Sequence, residues 1–168
     1  MYSQLRQDLV SGDWIVISPG RSKRPEQMIK KPEKRKISPK NSCPFEDLQK
    51  SGGKKPILMY GNGKKWEIQV VENKFPAFTP RKICPVIFKN GPYRAVDATG
   101  YHDLVITKDH YANFADLSKN VALQVFKVFR ERYLMFLKDK CLHYASIFHN
   151  WGPKAGASIY HPHYQIVA

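Results

Sequence analysis

Cysteine is scarce in this sequence. Its 168 residues hold three, Cys43, Cys84 and Cys141. An odd number without paired spacing argues against a disulfide framework and for a reduced, cytoplasmic setting. Long apolar runs are missing too. None approaches the ~20 residues of a membrane-spanning helix, and Met1-Tyr2-Ser3-Gln4-Leu5-Arg6 lacks the apolar stretch of a secretory signal. No membrane partner is expected. Acidic residues are few: 14 Asp and Glu face 28 Lys and Arg, a formal charge of +14. The expected partners are therefore anionic, whether phosphorylated metabolite, nucleotide or nucleic acid.

What is present fits one domain over residues 1–168, with 42% apolar residues to build a core. The positive charge is unevenly placed. Nine Lys and Arg face two Glu between Arg21 and Lys40, and Pro25, Pro32 and Pro39 interrupt them. Residues 25–42 are thus expected to form a mobile, solvated basic loop rather than a nucleic-acid arm.

Periodicity places the elements. Gln4 to Ser18 reads as a hairpin turning at Ser11-Gly12-Asp13, with Trp14-Ile15-Val16-Ile17 as the return strand. Trp66 to Val71 alternates as a strand, Cys84 to Phe88 is a further short one, and Tyr101 to Thr107 is another. A long helix is expected from a cap at Asp116 to about Lys140. Its apolar stripe is Val121, Val125, Val128, Phe129, Tyr133, Phe136 and Leu137, with Lys127, Arg130, Arg132 and Lys138 at polar positions. Tyr144 to Phe148 and the C-terminal segment complete an α+β fold, an antiparallel sheet with one long helix.

Chemistry concentrates at the end of the chain, in Ser158-Ile159-Tyr160-His161-Pro162-His163-Tyr164-Gln165-Ile166. Side chains alternate along a strand, so His161, His163 and Gln165 share one face and Ile166 takes the other. Such a face is either a site or a His-rich edge strand. Other segments are equally two-sided when taken alone. Arg21 and Arg24, spaced by three, can grip one anion with planar forks or belong to a solvated loop. Cys43 and Glu46 pair a soft and a hard zinc ligand on a proline turn, or a buried thiol and a salt-bridged acid. Asn73 ends a strand as an Asx-turn or a ligand contact. The loop Asn150-Trp151-Gly152-Pro153-Lys154-Ala155-Gly156 has the glycines that let backbone amides approach an anion.

His161-Pro162-His163-Tyr164-Gln165, preceded by Asn150 and Gly156-Ala157-Ser158, resembles the active-site signature of galactose-1-phosphate uridylyltransferases, the transferase branch of the histidine-triad superfamily. The likeness runs through nearly the whole chain. Leu5-Arg6-Gln7-Asp8 with Gly12-Asp13-Trp14, Ser18 to Pro25, Cys43-Pro44-Phe45, Glu72 to Ala77, Gly100-Tyr101-His102-Asp103 and Asp109-His110 recur in family order. The resemblance implies a histidine-triad-like N-terminal half-domain. It implies His163 as the nucleophile toward the α-phosphorus of a UDP-sugar, through a uridylyl-histidine and ping-pong kinetics. Gln165 would hydrogen-bond the phosphate, where histidine-triad hydrolases carry a third His. Asn73, Asn150, Gly156 and Ser158 would contact the nucleotide and its phosphates, and Arg21 and Arg24 the nucleotide end.

It further implies structural zinc at Cys43, Glu46, His110 and His161. Glu46 departs from the family pattern, which has a second Cys there, but carboxylates also ligate zinc. The implied activity moves UMP from a UDP-hexose to a hexose 1-phosphate. An adenylyl relative, using an ADP-sugar or a dinucleoside polyphosphate, is the alternative within enzymes, because the motif fixes phosphorus chemistry and not the base. A non-catalytic basic nucleotide-binding or nucleic-acid-binding protein is the alternative outside them. Family members hold two such halves and form dimers, so this sequence is read as half of a longer protein or as a one-domain relative. No catalytic role is expected for His102, and His143 and His149 are expected to be structural or at the surface. Cys84 and Cys141 are expected to be inert.

Overall fold

A computed structural model describes residues 3–23, 37–48, 50–62 and 65–168. Arg24 and most of the basic segment fall outside those residues. Of the expected 25–42 loop, the described end holds a short 3-10 turn at Lys40–Ser42.

The first hairpin joins β1 (Gln4–Gln7) to β2 (Trp14–Ile17) in antiparallel register. Asp8 shapes its turn by accepting from the Val10 and Ser11 backbone amides at 2.9 and 2.8 Å. These two strands belong to a four-stranded sheet ordered β2-β1-β6-β5, with β5 at Phe88–Asn90 and β6 at Tyr93–Asp97. The strand expected over Cys84 to Phe88 is thus displaced toward the C-terminus. Pro85 removes a ladder donor, and Cys84 is tied elsewhere.

The second sheet runs β3-β4-β7-β9-β8 and is antiparallel throughout. Its strands are β3 (Leu58–Asn62), β4 (Lys65–Glu72), β7 (His102–Thr107), β8 (Ser146–Phe148) and β9 (His163–Val167). Central β7 is buried at every position, as a strand covered on both faces should be. One face packs on helix α1 (Lys119–Phe136) through Ile68, Val70, Val105, Tyr164 and Ile166 against Val125, Val128 and Phe136. Each large apolar side chain removed from water there contributes about 1.5–3 kcal/mol. The opposite face, left open by the helix, carries the candidate site.

Helix α1 begins later than the sequence suggests. Ser118 is its cap, accepting from Val121 N–H at 3.3 Å, while Asp116 closes a separate 3-10 turn at Phe114–Asp116 with Asn113. Its stripe also differs: Tyr133 and Leu137 are exposed, and Arg132 is buried. The Arg132 guanidinium reaches under the sheet and donates to Asp103 Oδ2 from Nε at 2.9 Å and from Nη2 at 2.6 Å. Asp103 alternates onto the helix face of β7, so an arginine at a stripe position finds its partner there.

Two features fix the ends of these elements. Cys84 and Cys141 form a disulfide with Cα atoms 5.0 Å apart, against the expectation that both are inert. They are 57 residues apart in sequence, and only the tertiary fold brings them together, so cysteine spacing gave no signal. The cysteine count consequently carries no argument for a reduced compartment. Ala168 exchanges backbone hydrogen bonds with Tyr101 at 2.8 and 3.0 Å. This approach requires Gly100 (φ 151°), where an added Cβ would lie 1.8 Å from the Ala168 carbonyl oxygen. No described helix is long and apolar enough to cross a membrane.

Candidate active site and metal centre

The open face of the five-stranded sheet floors a cleft of about 680 Å³. Alternation supplies its side chains: His102 and Leu104 from β7, Ser146 and Phe148 from β8, and His163, Gln165 and Val167 from β9 all line it. Arg21 reaches it from a 3-10 helix at Pro19–Lys23, and Asn73, Asn150, Gly156 and Ser158 reach it from loops. Seven residues singled out from the sequence are thus brought to one cavity, namely Arg21, Asn73, Asn150, Gly156, Ser158, His163 and Gln165. Phe45, Phe75 and Phe78 add apolar walls that the sequence did not single out.

His163 opens β9 and is buried. Its Nδ1–H donates to the His161 carbonyl at 3.0 Å. In the neutral ring that bond leaves the lone pair on Nε2, the tautomer a nucleophile needs. The edge of Phe45 packs on the ring with centroids 5.0 Å apart. Sequence alternation put His161, His163 and Gln165 on one face of a single strand. In the structure His161 and Pro162 lie before β9 begins, because a proline there cannot donate to the ladder. The ring of His161 is thereby released toward a second centre.

That centre gathers Cys43, His110 and His161, whose ligand atoms lie within 4.8 Å of one another and whose residues are all buried. His161 Nε2–H donates to the Thr107 carbonyl at 2.7 Å, and His110 Nε2–H donates to the Ser38 carbonyl at 2.7 Å. Both Nδ1 atoms therefore carry lone pairs in neutral rings, oriented by backbone carbonyls as metal-binding imidazoles usually are. Cys43 Sγ is 3.7 Å from His161 Nδ1. Glu46 Oε1 is 3.1 Å from His110 Nδ1 and 3.3 Å from His161 Nδ1.

Lone pairs facing a carboxylate oxygen at these distances need a cation or a proton between them. Burial, the leading cause, pulls the His161 imidazole below its usual value and disfavours the proton, although the Thr107 carbonyl and Glu46 act the other way. Tetrahedral ligands bonded at about 2.0–2.3 Å stand about 3.3–3.8 Å apart, close to the spacings seen. Burial pushes the Cys43 thiol up, an effect that a bound cation reverses. The Cys43–His110–His161 group could hold a metal ion: its donors are of the right chemistry and its ligand atoms lie within 4.8 Å of one another.

Behind His163 the remaining polar groups interlock. Arg21 Nη1 donates to the Phe75 carbonyl at 2.9 Å, which anchors the guanidinium at the cleft wall. Asn73 Oδ1 accepts from Phe75 N–H at 2.9 Å, so the Asx-turn reading and the cleft-lining position hold together. Gly156 takes a left-handed φ of 75° with open space where a Cβ would be; backbone conformation, and not crowding, is what glycine supplies there. His102, given no role from sequence, is buried at the centre with Gln165 Oε1 2.9 Å and Asn73 Nδ2 3.0 Å from its Nε2. His102 lies in a segment that recurs in family order, but its partner follows from the strand register: Leu104 pairs with Gln165 and His102 with Val167, which makes His102 and Gln165 diagonal neighbours on one face. His143 is exposed. The rings of His149 and Tyr164 meet at a tilt of 52° with centroids 4.7 Å apart.

Known proteins resemble this chain over its full length. An ADP-glucose phosphorylase of Arabidopsis thaliana is 26% identical over 168 residues, covering 98% of this chain and 48% of that protein. A galactose-1-phosphate uridylyltransferase of Thermotoga maritima is 25% identical over 167 residues, covering 98% and 46%. The chain thus spans about half the length of the curated relatives it matches. Among solved structures, a uridylyltransferase superposes with a TM-score of 0.66 at 23% identity, covering 98% of this chain and 45% of the other. The ADP-glucose phosphorylase of Arabidopsis thaliana with bound ADP-glucose superposes with a TM-score of 0.62 at 23% identity, covering 98% and 47%. Both share the fold. The family described as galactose-1-phosphate uridyl transferase, N-terminal domain, matches residues 1–168, and the chain belongs to it.

Proposed function

We propose that this chain carries the nucleotidyl-accepting half of a nucleotidylyltransferase that moves UMP from a UDP-hexose to a hexose 1-phosphate. The observation that carries the reading is His163, held with Nδ1 on the His161 carbonyl and lining a cleft with Gln165, Asn73, Asn150, Gly156 and Ser158. His163 Nε2 attacks the α-phosphorus of the donor. A P–N bond forms, the P–O bond to the departing hexose 1-phosphate breaks, and the nucleotide stays on the imidazole. A phosphate oxygen of the acceptor then attacks the same phosphorus, and the P–N bond breaks. Gln165 donates to the phosphate oxygens on which charge builds, Arg21 holds the nucleotide end, and the Gly156–Ser158 segment borders the phosphates.

Zinc at Cys43, Glu46, His110 and His161 is part of this proposal. Bound there, it supplies a structural cross-link with no part in the phosphoryl chemistry. These residues come from three separate segments, and fixing His161 fixes the carbonyl that orients His163.

A second reading has a specific observation in its favour. The relative named ADP-glucose phosphorylase is as similar to this chain as the relative named galactose-1-phosphate uridylyltransferase. An adenylyl donor, either an ADP-sugar or a dinucleoside polyphosphate, would use the same nucleophile. A panel of UDP-glucose, UDP-galactose, ADP-glucose and diadenosine polyphosphates, scored by nucleotidylation of the protein, separates the two. Uridylylation alone supports the first reading, adenylylation alone the second.

A further inference from the structure

His102 Nδ1 accepts the Ala77 backbone N–H at 3.0 Å. A backbone amide offers only a proton, so this ring nitrogen holds a lone pair, and the neutral imidazole carries its hydrogen on Nε2. Gln165 Oε1 lies 2.9 Å and Asn73 Nδ2 3.0 Å from that Nε2, and of these two the amide nitrogen bears hydrogens and cannot accept. Asn73 cannot turn its oxygen inward, because Oδ1 already accepts the Phe75 N–H at 2.9 Å. The acceptor for His102 is therefore Gln165 Oε1. With Oε1 held at the buried imidazole, the Gln165 amide group has its Nε2 hydrogens on the other side, and Gln165 lines the cleft together with His163.

We propose that His102 is a positioning residue. Through the relay Ala77 N–H to His102 to Gln165, it fixes which end of the Gln165 amide meets the substrate phosphate. An amide flipped the other way would aim a carbonyl oxygen at phosphate oxygens and repel them. The proposal rests on the reading that Gln165 donates to phosphate, and it explains why a glutamine there needs a buried histidine beside it. The relay also restricts His102 to one tautomer, and that property can be observed without any substrate.

The test uses the whole chain. In long-range proton–nitrogen NMR spectra at neutral pH, His102 is expected with a protonated Nε2 and a bare Nδ1. The opposite tautomer overturns the proposal. In single-turnover nucleotidylation of His163, His102→Phe is expected to slow the step by roughly 10- to 100-fold with donor affinity little changed. His102→Gln, which keeps a side-chain donor, is expected to restore most of the rate. His102→Phe reacting at the unsubstituted rate overturns the proposal, as does a loss confined to donor binding. If the unsubstituted protein accepts no nucleotide from any donor, the functional reading fails separately. The positioning claim is then decided by the tautomer alone.

Discussion

The His161 carbonyl oxygen and His163 Nδ1 lie 3.0 Å apart, so one residue serves two centres. Its side chain faces Cys43, His110 and Glu46, and its backbone holds the ring of His163, the proposed nucleophile. A metal ion held by Cys43, His110 and His161 would thus be linked to the aim of His163 across two residues of chain.

That link makes metal content a direct check. Elemental analysis of the purified protein is expected to find about one zinc per chain, four ligands making one closed structural site. Cys43→Ser is expected to lower zinc retention, chelation is expected to lower Tm, and both are expected to slow labelling of His163. No stoichiometric metal in the unsubstituted protein contradicts the zinc assignment.

The buried pair of Asp103 and Arg132 gives a stability prediction that does not involve the cleft. Arg132→Met leaves the Asp103 carboxylate, 1% exposed, without its guanidinium and is expected to cost about 3–5 kcal/mol in urea unfolding. Adding Asp103→Leu is expected to recover most of that loss, because an apolar pair needs no charge partner. A single variant as stable as the unsubstituted protein would show that the pair is not closed in solution.

Tyr164 titrates late. Burial pushes its hydroxyl up to about 12, and the hydroxyl has no partner among the described residues. The unfolded phenol ionises near 10, so the native state holds the proton through a window in which the unfolded state has lost it. Stability is full below pH 10 and falls by about 2 kcal/mol as pH rises from 10 to 12. Tyr164→Phe is expected to flatten that fall and to leave neutral-pH stability unchanged or higher. Equal alkaline losses in both proteins would contradict it.

Gly100→Ala is expected to destabilise the protein by more than about 1 kcal/mol. The new methyl group would collide with the Ala168 carbonyl at a backbone angle that alanine avoids. Thermal unfolding measures this, and an unchanged Tm would mean that the Tyr101–Ala168 closure is not maintained.

Much of this was legible in the sequence for a physical reason. β4 and the helix carry strong periodicity, β7 is a short run of strand-forming residues, and the motifs that carry the family resemblance picked out Asn73, Asn150, His163 and Gln165. Other features were hidden because they arise only from pairing. The division into two sheets depends on β6 joining β1 across some 90 residues, which no local pattern encodes. Asp116 and Ser118 are both good caps, but Asp116 is engaged in the capping box with Asn113 that closes the Phe114–Asp116 turn, and Ser118 opens the helix. Arg132 read as a surface charge because its partner lies on a strand 29 residues earlier. His102 was missed because its importance lies in being diagonal to Gln165, and Cys84–Cys141 because a single long-range pair leaves no spacing signal.

The central claim, that His163 accepts a nucleotide, is tested most directly by covalent labelling. The protein is mixed with UDP-glucose or ADP-glucose radiolabelled at the α-phosphorus, quenched, and mapped by peptide digestion. The expected result is an acid-labile, base-stable label on the peptide holding His163, absent from His163→Asn and chased by a hexose 1-phosphate or inorganic phosphate. A folded, metal-replete protein that binds the donor yet takes no label, or that keeps its label in His163→Asn, would contradict it.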